Sequence, residues 1–208
     1  MKQVINLESI AKKYKSTVAA KYRPLKPEEI ISITSGKNFV SKKIDGELWM
    51  AHIDEEGATL FSKGGRFIKE GAIIESLKGC LPHNVKNLIL AGELFVKKDF
   101  RERVGDVAKA ISVKDFKNLY FVIFDLVKIE GKLLPLIYEK RLEEIQSIFK
   151  QSRKNIEVIE TKEISDKNAV KDFYEKSVKR ENAEGIIIRT ASEITYKVKP
   201  SVSIDALV

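Results

Sequence analysis

Eight charged residues interrupt segments that are otherwise suited to burial in strands. They are Lys43, Asp45, Glu93, Asp125, Glu184, Arg189, Lys197 and Lys199. A charged group in such a place is costly unless it is paired, hydrogen-bonded or solvated by a cleft. Any one of them could be an outward-facing residue on a half-exposed strand. Four carboxylates and four cations that converge on one cleft would instead bind a phosphorylated ligand and a divalent metal.

Lys43 lies two residues before an Asp-Gly pair, in a run that is otherwise typical of a strand. Its neighbours allow either a surface charge or a nucleophile. As a nucleophile it needs a neutral amine, and the pKa of a free lysine would have to fall by roughly three units, a free-energy change of about 4 kcal/mol. Burial and nearby cations both act in that direction. Lys197 and Lys199 are alternate residues of one predicted strand, so they share a face.

The apolar pattern predicts the elements that must position these residues. Helices are predicted at 7–14, 27–33, 72–77, 107–111, 137–149 and 167–180. Strands are predicted at 39–43, 47–53, 59–62, 87–96, 119–127, 156–160, 184–189 and 194–199. Because strands and helices do not alternate strictly, we expect an α+β fold with largely antiparallel sheets.

Composition restricts the class of protein. The chain has 208 residues, of which 43% are hydrophobic and 33% charged, as in globular proteins. It has no apolar stretch of the ~18 residues that a membrane span needs, and its first residues lack a secretory pattern. The single cysteine, Cys80, favours a reducing, intracellular compartment. The net charge of +8 makes polyanions plausible partners, although the basic residues are spread along the chain.

Six short motifs occur in order along the chain. They are K-x-D-G at 43–46, S-K-G-G at 62–65, G-E-L at 92–94, F-D-L at 124–126, E-G-I-I-I-R at 184–189 and Y-K-V-K at 196–199. Their order resembles that of the covalent nucleotidyltransferases, which include ATP-dependent DNA ligases, RNA ligases and mRNA capping guanylyltransferases. The first motif alone is a weak signal, whereas the ordered set is a strong one. The resemblance covers about residues 38–208 and implies an ATP-grasp-like nucleotidyltransferase domain, α+β in class, with sheets flanked by helices.

The resemblance also implies roles for particular residues. Lys43 would attack the α-phosphate of ATP, form a lysyl-AMP and release pyrophosphate, with Lys197 and Lys199 as the other catalytic residues. Glu184 would hold Mg²⁺ and Glu93 would accept a ribose hydroxyl and help with the metal. Phe124 would stack on the purine.

The remaining predicted nucleotide contacts are basic, small or polar residues of the same motifs. Lys63 stands at the basic position of the second motif, and Arg189 fills the basic position five residues after the motif glutamate. The others flank the nucleophile, and they are Ser41, Lys42, Asp45 and Gly46.

Three positions depart from the usual DNA-ligase motifs. Leu48 stands where arginine is usual, Ser41 where a base-reading glutamate is usual, and Ala91 where aspartate is common. Leu48 favours the alternative of an RNA ligase, and Ser41 leaves room for a GTP-dependent capping enzyme. A third alternative is a non-catalytic basic module that binds nucleic acid and is released by salt.

The C-terminal residues KPSVSIDALV resemble the strand that leads into an OB-fold domain in DNA ligases, which favours that family. We therefore expect a nucleotidyltransferase domain at 38–208 that lacks its OB-fold domain. Residues 1–37 are expected to be a short extension whose helices pack on that domain. The expected partner is nicked double-stranded DNA, and the expected state is a monomer.

Overall fold

The computed structural model describes residues 6–34, 36–80, 85–98, 101–103, 105–133, 137–149 and 153–200. The predicted OB-leading tail at 201–208 lies outside these ranges. The α-helices are α1 Leu7–Thr17, α2 Ile30–Ile33, α3 Ala72–Lys78, α4 Gly105–Ser112, α5 Tyr138–Ile148 and α6 Lys167–Glu175. Short 3-10 turns occur at Ala19–Lys21 and Pro27–Glu29, and a π-helical turn at Lys176–Arg180 continues α6. None of the helices in the described ranges combines the length and the apolar character needed to cross a membrane.

The strands fall into two sheets. They are β1 Arg23–Leu25, β2 Asn38–Lys42, β3 Glu47–Asp54, β4 Gly57–Ser62, β5 Phe67–Ile68, β6 Asn87–Lys98, β7 Arg101–Arg103, β8 Leu119–Ile129, β9 Lys132–Leu133, β10 Ile156–Val158, β11 Thr161–Ile164, β12 Ile186–Thr190 and β13 Thr195–Val198.

One compact unit, the small unit, comprises Lys21–Ile44 and Glu160–Val208. Its five-stranded sheet has the order β1-β13-β12-β2-β11. Only β1 and β13 pair in parallel among its described strands. One face of the sheet packs on α2 and α6 through an apolar cluster whose buried members are Ile30, Val40, Val170, Tyr174, Ile186, Ile188 and Val198.

The other compact unit, the large unit, comprises Met1–Ala20 and Asp45–Ile159. Its eight-stranded sheet has the order β10-β8-β6-β3-β4-β5, with β7 beside β6 and β9 beside β8. Alternate residues of a strand face opposite sides, so each face has its own core. Trp49 and Phe121 belong to the cluster that includes residues of α3, α4 and α5. Met50 and Phe61 belong to the cluster that includes residues of α1.

The α+β class with mostly antiparallel sheets is confirmed. Each predicted helix overlaps an observed helical segment, but the predicted helix at 167–180 leaves the α-helical geometry after Glu175. The short strands β1, β5, β7, β9 and β11 were not predicted, because two to four residues are too few to show an alternating pattern.

Most predicted strands differ from the observed ones by one or two residues at an end, and three of these ends carry candidate site residues. Lys43 and Lys199 each follow the last residue of a strand, and Glu184 lies two residues before the first residue of β12. The physical reason is Gly185, whose φ of +153° ends the regular extended pairing. All three functional candidates therefore lie at strand ends instead of inside strands.

Gly185 is a position where a side chain would not fit. A Cβ added there would lie 2.0 Å from the carbonyl oxygen of Val198 and 3.2 Å from the Cα of Lys199. The carbonyl of Gly185 also accepts a hydrogen bond from the N–H of Lys43, at 2.9 Å. Gly185 therefore lets the three strand ends approach each other closely.

Replacing Gly185 with alanine should lower the free energy of unfolding by about 3 kcal/mol, because the backbone must move to relieve the contact with Val198. Gly36 is a matched control in the same unit, since its φ is +79° and nothing lies within 4 Å of an added Cβ. Gly36→Ala should cost only about 1 kcal/mol, from the backbone conformation alone. Urea denaturation followed by circular dichroism measures both. Equal losses in the two variants would show that the contact with Val198 has no cost of its own.

Candidate functional site

The pairing of β2, β12 and β13 brings two predicted catalytic lysines to one edge of the small unit's sheet. Ile186 pairs with Lys42 on one side and with Val198 on the other. The next residues along these two strands are Lys43 and Lys199, which therefore leave the sheet on either side of the same β12 neighbour. This register brings Lys43 close to Lys199, which is 156 positions away in sequence, and to Glu184, which is 141 positions away.

Glu184 joins the two lysines. Its Oε2 accepts a hydrogen bond from Nζ of Lys43, and its Oε1 pairs with Nζ of Lys199. Lys43 Nζ also donates to the carbonyl oxygen of Ile44, at 3.4 Å. The side chains of Lys43 and Glu184 are 21% and 25% exposed, so the pair lies near solvent without being fully open to it. We call these three residues, Lys43, Glu184 and Lys199, the Glu184 cluster.

The charge of Glu184 is fixed by its partners. Burial alone would raise the pKa of its carboxyl group, but the hydrogen bonds from Lys199 and Lys43 and the charges of both lysines outweigh burial, and the pKa of Glu184 is lowered. The carboxylate is therefore ionised at neutral pH. An ionised carboxylate that holds two ammonium groups fixes both of them relative to each other.

Lys197 and Ser41 lie on either side of Ile187 in the same sheet. Both pair with Ile187, so their side chains share a face. Lys197 is exposed, and within the described residues it takes part in no ion pair. Ser41 is 2% exposed. The sheet thus places Lys197 two residues along the strand from Lys199 of the Glu184 cluster.

Lys42 and Arg189 have partners of their own. Lys42 alternates with Ser41 and so faces the opposite side of the sheet, where its Nζ lies 2.8 Å from Oε2 of Glu181. Arg189 is 6% exposed, lies 5.9 Å from the centre of the Tyr22 ring and donates a hydrogen bond to the Tyr22 hydroxyl at 3.4 Å. Their predicted contacts with a nucleotide stay predictions.

The large unit carries the other predicted contacts. A Cβ on Gly46 would lie 2.8 Å from the Cβ of Glu93, which explains why a glycine is needed where this chain segment approaches β6. Glu93 is half-buried and pairs with Leu48 on the neighbouring strand. Asp45 is exposed, and Lys63 is exposed in the turn after β4. Gly46 and Glu93 are thus in contact, as parts of one site would be.

Phe124 lies in a bulge of β8. In the pairing of β6 with β8, Ala91 faces Asp125 and Gly92 faces Ile123, so Phe124 is the extra residue of the bulge. Its ring packs against the cluster that includes α1, whereas Phe121 lies in the cluster on the other face. The two rings therefore point to opposite sides, as their spacing predicts. A bulge of this kind redirects a side chain and often occurs beside a functional site.

Two polar clusters in the large unit were not predicted. In one, Asp125 is bonded to Tyr14 and Arg141. In the other, Glu47 is bonded to Arg66, whose guanidinium lies 5.2 Å from the centre of the Trp49 ring. The sequence marks Asp125 as a charge in an apolar run, but its partner Tyr14 is 111 residues away, and no local pattern identifies such a pair.

The residues fit a magnesium ion that is shared with a ligand. Among the described residues, no three His, Cys, Asp or Glu side chains are close enough together to form a metal cage. Mg²⁺ is usually held by one or two carboxylates together with substrate phosphates and water. Glu184 is a hard oxygen donor of this kind, and because both of its oxygens contact lysine amines, an ion with its phosphate oxygens would have to displace one of those amines.

Comparisons with known structures agree with this fold. The protein solved as "Pmar-Lig_Pre" superposes with a TM-score of 0.63 and 19% identity, over 95% of this chain and 51% of its own. Mycobacterial DNA ligase D, solved with ATP and MES, superposes with a TM-score of 0.56 and 17% identity, over 78% of this chain and 54% of its own. The Chlorella virus DNA ligase-adenylate superposes with a TM-score of 0.56 and 18% identity, over 86% of this chain and 68% of its own. The chain spans about half the length of the first two structures.

The family comparison covers most of the chain. A comparison of this chain with curated proteins found no match. The model of the ATP dependent DNA ligase domain matches residues 17–203, which include all six motifs and every residue of the Glu184 cluster. The chain therefore belongs to the ATP-dependent DNA ligase domain family.

Proposed function

We propose that this chain is the adenylation domain of an ATP-dependent DNA ligase, which transfers AMP from ATP to Lys43 and then to a 5′-phosphate at a nick. The observation that carries the proposal is the Glu184 cluster, in which one ionised carboxylate holds Lys43 beside a second cation, Lys199. Family membership supports the use of ATP. Residues 38–208 form the proposed nucleotidyltransferase domain, and residues 1–37 its extension.

The first step joins nitrogen to phosphorus. The neutral amine of Lys43 attacks the α-phosphorus of ATP, the new N–P bond forms, and the bond from the α-phosphorus to the bridging oxygen breaks. Pyrophosphate leaves with that electron pair, and the nitrogen loses a further proton to water as the phosphoramidate forms. Lys199 and Lys197 stabilise the negative charge that develops on the α-phosphate oxygens.

Lys43 must lose a proton before it attacks. Glu184 accepts a hydrogen bond from the amine, but the lowered pKa of Glu184 makes it a poor base. Glu184 therefore orients the amine, and the proton passes to water. Holding the amine in one direction reduces the reorientation that attack on a phosphate requires.

The proposal includes Mg²⁺ and the residues named by the resemblance. Glu184 would hold the ion together with phosphate oxygens, and the ion would neutralise part of the phosphate charge. Glu93 is proposed as the acceptor for the ribose hydroxyl and as a helper at the metal, and Phe124 as the residue that stacks on the purine. Lys63, Arg189, Ser41, Lys42, Asp45 and Gly46 complete the proposed nucleotide contacts.

Incubation with ATP and Mg²⁺ should raise the intact mass of the protein by one AMP group, because the N–P bond is covalent. Lys43→Ala should abolish this adduct. Lys37→Ala is a matched control, since Lys37 lies next to the opposite end of β2 and pairs with Glu163 at 3.1 Å. This control should form the adduct at the rate of the original protein. Intact-mass spectrometry at neutral pH measures all three proteins.

The same measurement with GTP separates the rival enzymes. A GMP adduct in place of AMP would replace the ligase proposal with a capping enzyme. No adduct with either nucleotide, together with salt-sensitive binding of nucleic acid that Lys43→Ala leaves unchanged, would favour a non-catalytic module.

The Glu184 cluster also predicts a pH dependence of stability. Because the pKa of Glu184 is lowered in the folded protein, its stabilising effect is complete above the pKa of an unfolded glutamate and is lost as the pH falls through the lowered value. The difference in unfolding free energy between the original protein and Glu184→Gln should be constant near neutral pH and should shrink in acid. Urea denaturation over a series of pH values measures it.

Glu160→Gln is the control for this experiment, because Glu160 is 79% exposed and lies 3.7 Å from Lys162. An exposed pair of this kind contributes little, so the Glu160→Gln difference should stay small at every pH. A Glu184→Gln difference that is equally flat would contradict the assignment of Glu184 as the ionised partner of both lysines.

The acceptor of AMP is proposed to be nicked double-stranded DNA. The net charge of +8 suits a polyanion, and phosphate contacts weaken as salt rises. The adenylated protein mixed with nicked DNA should lose its AMP to the 5′-phosphate, which gel electrophoresis detects as an adenylated DNA strand. Transfer only to a nicked RNA strand would instead support the RNA-ligase alternative that Leu48 favours.

A further inference from the structure

The bulge at Phe124 is attached to a buried carboxylate. Asp125, the next residue, is 5% exposed. Its Oδ1 accepts the N–H of Leu126 at 2.9 Å, so the carboxylate bonds to the backbone immediately after the bulge. A bulge leaves backbone groups outside the regular ladder, and a side chain that bonds them fixes the local conformation.

Two helices hold that carboxylate from different directions. The hydroxyl of Tyr14, on α1, donates to Oδ2 of Asp125 at 2.7 Å. Nε of Arg141, on α5, donates to Oδ1 at 2.7 Å. The side chains of Asp125 and Arg141 are 7% and 18% exposed, so this pair is largely screened from water. Charge-assisted hydrogen bonds at such distances are short and directional.

Apolar packing and hydrogen bonds both hold α1 at this point. A pocket of about 200 Å³ lies between α1 and β8, and Tyr14, Asp125 and Arg141 form part of its wall. Where side chains do not fill the space between two elements, their relative position depends more on specific polar contacts. The hydrogen bonds to Asp125 are polar contacts that link α1 and α5 to the bulged part of β8.

We infer that Tyr14, Asp125 and Arg141 form a clamp that positions Phe124 for stacking on the purine of the nucleotide. The clamp fixes the backbone at Asp125, and the adjacent bulge residue, Phe124, takes its direction from that backbone. Tyr14 and Arg141 are positioning residues, since they act through Asp125. The inference rests on the proposed function, because it gives Phe124 a base to stack on.

The variants Tyr14→Phe and Asp125→Asn test the clamp. The first removes one hydroxyl, and the second removes the negative charge while keeping the shape of the side chain. Tyr174→Phe is the control, because Tyr174 is a similarly buried tyrosine, 7% exposed, in the small unit. The rate of adduct formation is measured over a range of ATP concentrations. Tripolyphosphate, which has no base, is measured in parallel as a competitor.

Loosening Phe124 should weaken recognition of the base and leave the phosphate chemistry unchanged. Both clamp variants should raise the half-saturating ATP concentration roughly three- to tenfold, while the maximal rate and the inhibition by tripolyphosphate stay the same. Tyr174→Phe should change none of these. In a Phe124→Ala background, Tyr14→Phe should have no further effect on the half-saturating concentration, because the group that it positions is missing.

Three results would overturn the inference. They are an equal loss of affinity for ATP and tripolyphosphate, an effect of Tyr14→Phe that persists fully without Phe124, and clamp variants with unchanged ATP dependence. Hydrogen exchange at the amide of Leu126 distinguishes a failure of the clamp from a failure of the proposed function. If the original protein takes up no nucleotide, the proposed function and the stacking role both fail. Faster exchange at Leu126 in Asp125→Asn would then still show that the clamp holds the backbone.

Discussion

The close approach of Gly185 to Val198 is the constraint on which the small unit's site depends. The N–H of Lys43 bonds to the carbonyl of Gly185, and a Cβ on Gly185 would lie 2.0 Å from the carbonyl oxygen of Val198. Three strand ends can therefore meet without an intervening side chain. Glu184, one residue earlier, then reaches the amines of both Lys43 and Lys199. A backbone constraint thus determines the electrostatics of the proposed nucleophile.

In each unit, one carboxylate holds two partners that belong to a different part of the proposed chemistry. In the small unit, one carboxylate holds two cations just beyond the strand ends. In the large unit, another carboxylate, Asp125, holds a tyrosine and an arginine beside a strand bulge. Each carboxylate is largely or partly removed from water, and each has partners that offset the cost of burying its charge. The first fixes the amine that is proposed to react, and the second bonds the backbone beside an aromatic ring.

The sequence predicted the fold class and most elements because long apolar runs, such as those of β6 and β8, indicate buried strands directly. It also indicated Lys43, Glu184 and Lys199 through motif order, and the structure brings these three together. It could not indicate the strand ends, since they depend on the backbone conformation of Gly185. Nor could it indicate the bulge at Phe124 or the partners of Asp125, because both depend on pairing between segments that are far apart in the chain.

The proposed function requires that Lys43, and no neighbouring lysine, provides the nitrogen atom of the covalent bond to AMP. Peptide mapping of the ATP-treated protein tests it most directly, with digestion at mildly alkaline pH because acid cleaves the N–P bond. Fragmentation of the peptide that contains both Lys42 and Lys43 should place the added AMP on Lys43 alone. AMP on Lys42, Lys197 or Lys199 would contradict the role assigned to the Glu184 cluster, and so would a peptide that carries no AMP.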